Sequence, residues 1–175
     1  MKAPTLKSMK TLCLVLALIL CPCLMMAETI MVSVGEQGLP GEPDAAYRFC
    51  FSALESGVMD VFFNAGHIVF NDEAFRTKED QYRTVSLARE GGASMVLFIN
   101  CLYNPGDIKD KKTEDGAVVS LPHTIVLEYI KTSDFSVIKK ARFTPSLKDA
   151  ADFGHIEDYY ALLGKKAAES ILAGK

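Results

Sequence analysis

Ser94 to Tyr103 (SMVLFINCLY) restricts the possible folds more than any other stretch of this chain, because it is apolar on both faces. A strand that alternates in and out can sit on the outside of a sheet. A strand that is apolar throughout must be covered on both sides, which is the position of a central strand with helices on either face. Gly91-Gly92 precedes it and stops a helix predicted over Lys78 to Arg89, where Tyr82, Val85 and Arg89 share one stripe.

The longest periodic segment runs from about Asp44 to Ala65, with Pro43 suited to its first turn and Gly66 ending it. Projected at about 100° per residue, Ala46, Tyr47, Cys50, Phe51, Ala53, Leu54, Gly57, Val58, Val61 and Phe62 fill one half of the helical wheel. Arg48, Ser52, Glu55, Ser56 and Asp60 take the other half. Phe49, Met59 and Phe63 break this division by falling on the polar side. Either loops or the first strand cover them, or they form an apolar surface for a partner.

The remaining elements follow from alternation and turn signals. Thr29 to Val34 reads as a first strand with Ile30, Val32 and Val34 on one face, and Gly35 to Pro43 as a turn-rich loop. His67 to Asn71 is a second strand with Ile68 and Phe70 in phase. Asn104 to Gly116 reads as a charged, solvated loop. Val118 to Ile130 holds one long strand or two short ones, because Pro122 must fall at a bulge, edge or break. Lys131 to Ser136 turns the chain into an antiparallel strand, Val137 to Phe143, whose Lys139, Lys140 and Arg142 protect an edge. A last helix over Phe153 to Ala173 carries Ile156, Tyr159, Tyr160, Leu163, Ala167 and Ile171 on one stripe. The expected class is α/β (α+β): a single mixed sheet layered with helices, in the order β-α-β-α-β-β-β-α.

Residues 1–27 concern location. Lys2, Lys7 and Lys10 precede an apolar core, Leu12 to Leu20 (LCLVLALIL), and Met25-Met26-Ala27 offers a small residue before a cut. This is the signal-peptide pattern, which makes residues 28–175 a single αβ domain that is periplasmic or extracellular. A retained membrane anchor or a lipoprotein is the alternative. Pro22 breaks the apolar stretch and Leu20 and Pro22 precede the two nearby cysteines, so both alternatives fit poorly. Loss of the three lysines takes the net charge from −3 to −6. That argues against nucleic acid, and against a membrane partner unless the N-terminal segment is retained or lipidated.

Cys50 and Cys101 are the two cysteines left after Ala27, and the expectation is two buried, unbridged thiols rather than a disulfide. The absence of an Asn-x-Ser/Thr sequon favours a bacterial envelope.

The order of elements, with Gly92-Ala93-Ser94-Met95-Val96-Leu97 leading into the central strand, resembles the anticodon-binding-like αβ domain of the TolB N-terminal domain, CsgG-type proteins and the penicillin-binding-protein activator LpoB. The hairpin Ile125 to Ile130, Thr132-Ser133-Asp134, Val137 to Phe143 and the closing helix Ile156 to Leu172 extend that likeness over residues 29–173. The resemblance implies a docking or assembly module with no catalytic residues.

The residues themselves supply no catalytic, cofactor or metal motif. Gly35, Gly38 and Gly41 lie between a strand and a helix, but no Gly-Lys-Ser/Thr follows, and Glu36, Glu42 and Asp44 would repel an anion. His67, His123 and His155 lack metal spacing, as do Asp107, Asp110, Glu114 and Asp115. No Gly-x-Ser-x-Gly occurs. The sequence therefore points to a non-enzymatic envelope protein that binds another envelope protein or itself, with Phe49, Met59 and Phe63 as candidate contact residues. The competing class is an exported small-ligand binder or hydrolase, whose mark would be a polar pocket holding His67 or His123 beside a carboxylate.

Overall fold

The computed structural model describes residues 27–38, 45–72, 77–104, 109–112, 118–146, 148 and 153–173. The expected leader therefore lies outside the described residues, apart from Ala27. Seven strands and three helices follow along the described chain: β1 (Thr29–Gln37), α1 (Ala45–Asn64), β2 (Ile68–Asn71), α2 (Lys78–Glu90), β3 (Met95–Leu102), β4 (Lys109–Lys112), β5 (Val118–Leu121), β6 (Thr124–Lys131), β7 (Val137–Phe143) and α3 (Ile156–Leu172). The fold is α/β, with one mixed sheet flanked by helices in roughly the expected order.

The main sheet runs β2-β1-β3-β6-β7, which puts the doubly apolar strand β3 at its centre. β1 pairs in parallel with β2 and β3, while β6 pairs antiparallel with β3 and β7. The chain crosses from β1 to β2 through α1 and back over β1 to β3 through α2. Right-handed crossovers in opposite directions put their helices on opposite faces. Accordingly α1 packs over Ile30, Val32, Val34, Met95, Leu97, Ile99 and Cys101, and α2 covers Met31, Val96 and Phe98.

On the first face α3 joins α1, and the two helices seal the main core. Ile156, Tyr159, Tyr160, Leu163, Ala167 and Ile171 are all buried, as their spacing predicts. A Cβ placed on Gly57 would lie 2.1 Å from the Ala161 carbonyl oxygen, and one on Gly164 would lie 2.1 Å from that of Leu54. The two backbones cross at these glycines. Lys139 of β7 closes the arrangement by donating to the carbonyls of Ser170 and Ile171, at 2.6 and 2.9 Å, in the last turn of α3. A cation there also meets the negative end of the helix dipole.

Three expectations need correction. β1 continues through Gly35 to Gln37, because β3 offers Asn100, Cys101 and Leu102 as ladder partners for residues read as a loop. Within the stretch read as a charged loop, Lys109–Lys112 forms β4 and pairs with β5 as a separate two-stranded hairpin. In α2 the buried residues are Thr84, Val85 and Ala88, while Tyr82 is 66% exposed and Arg89 is exposed. Pro122 falls in the break between β5 and β6.

Turn chemistry fixes the helix ends. Thr77 and Asp80 form a reciprocal capping box at the start of α2. Gly66 and Gly92 take the left-handed conformation after α1 and α2, with φ of +89° and +82°.

Candidate functional site

Phe49 and Phe63 stand on the outward side of α1, 66% and 72% exposed. They are fourteen residues apart, which places them about 21 Å apart along the helix and within about 40° of each other around it. Exposed Ser52, Ser56 and Asp60 lie between them. Met59 differs from both, since it is half-buried and packs against the core. The helix thus presents two exposed aromatic rings on a polar strip, while Met59 turns toward the core.

The histidines stay apart. His67 accepts a hydrogen bond from the Glu28 backbone N–H at its Nδ1, 3.2 Å, and its ring meets that of Phe62 edge-on. His123 is exposed in the β5–β6 turn, and His155 is the exposed N-cap residue of α3. Among the described residues no group of three or more histidines, cysteines or carboxylates could hold a metal ion. Asp107, Glu114 and Asp115, like Gly41, Glu42 and Asp44, lie outside the described residues.

Cys50 and Cys101 are both fully buried and unbridged, and both face the same core. Burial, reinforced by the Glu36 charge, pushes the Cys101 thiol up, so it is a poor nucleophile at neutral pH. Beside them Tyr160 donates to the Ser120 carbonyl at 3.1 Å, Tyr47 accepts from the Ser120 N–H at 2.9 Å, and the Tyr103 and Tyr160 hydroxyls lie 3.4 Å apart. Burial drives both Tyr103 and Tyr160 upward. These tyrosines remain protonated and pin the β5 arm of the hairpin over the core.

The second face of the sheet is only partly covered. Beside the N-terminal end of α2, at Thr77 and Gln81, it forms an open hollow of about 860 Å³, floored by Phe98, Asn100 and Val126 and bordered by Glu128, Lys140 and Arg142. In the sheet register Gly35, Asn100, Val126 and Arg142 occupy one row, and Phe98, Glu128 and Lys140 the next. Lys140 forms an ion pair with Glu128. The buried Asn100 Oδ1 has no hydrogen-bond partner among the described residues. A smaller apolar hollow of about 280 Å³ adjoins the first, sharing Gln81, Phe98 and Glu128, and is lined by Tyr82, Val85, Ile130, Phe135 and Val137.

Sequence reasoning identified none of these polar residues as a site. The one available signal was Asn100, a lone amide in the otherwise apolar strand MVLFINCL.

No protein-family model matches the chain, and no curated protein matches it. Among solved structures it is similar to a PelC variant dodecamer from Paraburkholderia phytofirmans, at 17% identity and a TM-score of 0.43 over 82% of this chain and 85% of that one. It is also similar to the lipoprotein GNA1162 from Neisseria meningitidis, at 13% identity and a TM-score of 0.44 over 83% of this chain and 99% of that one. A homologue of a neuraminyllactose-binding hemagglutinin from Helicobacter pylori gives 10% identity and a TM-score of 0.44, over 83% and 86% of the two chains.

Proposed function

We propose that this chain is an exported, non-enzymatic protein-binding or assembly module of the bacterial envelope, of the TolB/CsgG/LpoB-like kind, that holds a partner protein through the outer face of α1. The observation that carries this reading is the exposure of Phe49 and Phe63, 66% and 72%, on a helix whose inner face is fully packed. Two large aromatic rings in water gain free energy when a partner covers them, and aromatics are the residues most often found as interface anchors. The raised thiol of Cys101 and the dispersed histidines give no support to the hydrolase alternative. The larger hollow contains neither His67 nor His123.

The test is the double substitution Phe49→Ser with Phe63→Ser. Sedimentation reads self-association, and co-purification from envelope extract reads association with other proteins. The expected result is loss of association with stability changed by no more than about 0.5 kcal/mol per site, as for surface positions. Unchanged association in both assays would refute the proposal, as would a stability loss of several kcal/mol.

A further inference from the structure

We propose that the half-covered face of the sheet is a binding site for a short peptide carrying an apolar side chain and, about four residues away, a carboxylate. This site lies on the layer opposite α1, so it stands or falls separately from Phe49 and Phe63.

β7, with the sequence VIKKARF, holds three basic residues and no acid. Lys139 is held by the last carbonyls of α3, and Lys140 is paired with Glu128. Arg142, exposed at the rim of the larger hollow, has no acceptor among the described residues. The pairing of Glu128 with Lys140 also offsets the one carboxylate among the described residues that line the hollow. A guanidinium presents a planar fork that suits a carboxylate.

In the same row as Arg142, two strands away, lies Asn100. Strand spacing puts the two backbones roughly 10 Å apart, with only the small Val126 between them. On the far side of Asn100 the row ends at Gly35, which has no side chain to fill the floor. The Asn100 Oδ1 is buried without a donor. An unpaired buried acceptor is a net cost to folding, so a central apolar strand gains nothing structural from this amide. Asn100 lines the hollow, where its amide suits the backbone of a peptide.

The apolar hollow supplies the other end of the ligand. It begins at the shared residue Phe98 and extends to Ile130, under Tyr82 and Phe135. The rings of Tyr82 and Phe135 approach to 6.2 Å between centroids. Phe135 is held there at a φ of +60°, a left-handed conformation that a bulky residue rarely adopts. From the Arg142–Val126 row to Ile130 is four residues of β6, or about 13 Å. An extended pentapeptide spans the same distance. A cation, an acceptor and an apolar hollow at that spacing match a peptide with an acidic residue at one end and an apolar one at the other.

The experiment is fluorescence anisotropy on the chain without its first 27 residues. The probes are labelled, C-terminally amidated Leu-Ala-Ala-Ala-Glu and its reverse, Glu-Ala-Ala-Ala-Leu. Each has two controls, one with Gln for Glu and one with Ala for Leu. At least one acidic probe is expected to bind, with each control weaker by about tenfold. Arg142→Gln should abolish the difference between the Glu and Gln probes, which is the signature of a direct pair. Asn100→Leu should weaken binding about fivefold while leaving the melting temperature equal or higher. Absence of binding in both orientations would overturn the proposal. So would a Glu/Gln ratio unchanged by Arg142→Gln, or an Asn100→Leu variant that melts lower and binds as before.

Discussion

Replacing Gly164 with alanine tests the packing that defines this domain. The new Cβ would sit 2.1 Å from the Leu54 carbonyl oxygen, 3.0 Å from its carbonyl carbon and 3.1 Å from the Val58 nitrogen. These are backbone atoms of α1, so no rotamer change can relieve the clash. An ordinary contact between carbon and oxygen is about 3.3 Å, and the two helices must therefore separate by roughly 1 Å. A gap of that size forfeits about a quarter to a half of each contact, worth about 0.1–0.2 kcal/mol per atom pair. Over the forty or so pairs that a single buried leucine makes, the loss comes to about 2 kcal/mol. Distorting the neighbouring side chains adds about 1–2 kcal/mol, while alanine's helix propensity returns about 1 kcal/mol. The expected net destabilisation is about 2–3 kcal/mol. Urea unfolding followed by far-UV circular dichroism measures it, since the chain has no tryptophan. Gly57→Ala should cost a similar amount, and the double variant less than the sum, because one separation accommodates both methyl groups. Gly154→Ala, with nothing within 4 Å of the added carbon, is the control. A Gly164→Ala variant as stable as the parent would show that the helices do not cross as closely as described.

Three further predictions concern titration, thiols and a helix end. Burial holds the Glu55 carboxyl above its ordinary value, only partly offset by the hydrogen bond from Asn71. A raised carboxyl contributes stability that is complete below the unfolded value of 4.5 and is lost as pH rises through the folded value. Glu55→Gln should therefore raise the melting temperature at pH 7, with the gain vanishing below about pH 4. Cys50 and Cys101 should resist a thiol reagent at pH 8 in the native chain and both react in urea without reductant, as counted by mass spectrometry. Lys139→Met should destabilise by about 1 kcal/mol, with hydrogen exchange accelerated most at the C-terminal end of α3.

Much of this fold is legible in the sequence because periodicity carries it. β3 declares itself by being apolar on both faces, and α1 and α3 by stripes that agree with their burial. β4 leaves no such trace. Its sequence KDKK has no apolar alternation, and only its pairing with β5 makes it a strand. The end of β1 was hidden in the same way, since Gly35-Glu36-Gln37 has the composition of a turn and becomes a strand only beside β3. In α2 the apolar stripe points to Tyr82, whereas the buried face holds Thr84, Val85 and Ala88. The candidate surfaces divide similarly. Phe49 and Phe63 contradict a local helical pattern and could be read, while Asn100 and Arg142 come together through β6 and no local pattern joins them.

Photocrosslinking tests the proposed partner-binding role most directly. A photoreactive phenylalanine would replace Phe49 or Phe63 in turn in the chain expressed in a bacterium, and exposed Lys165 of α3 as the control. Positions 49 and 63 should capture the same protein, another copy of this chain or a different protein, and position 165 should not. Equal capture at all three positions, or none at 49 and 63, would contradict that role.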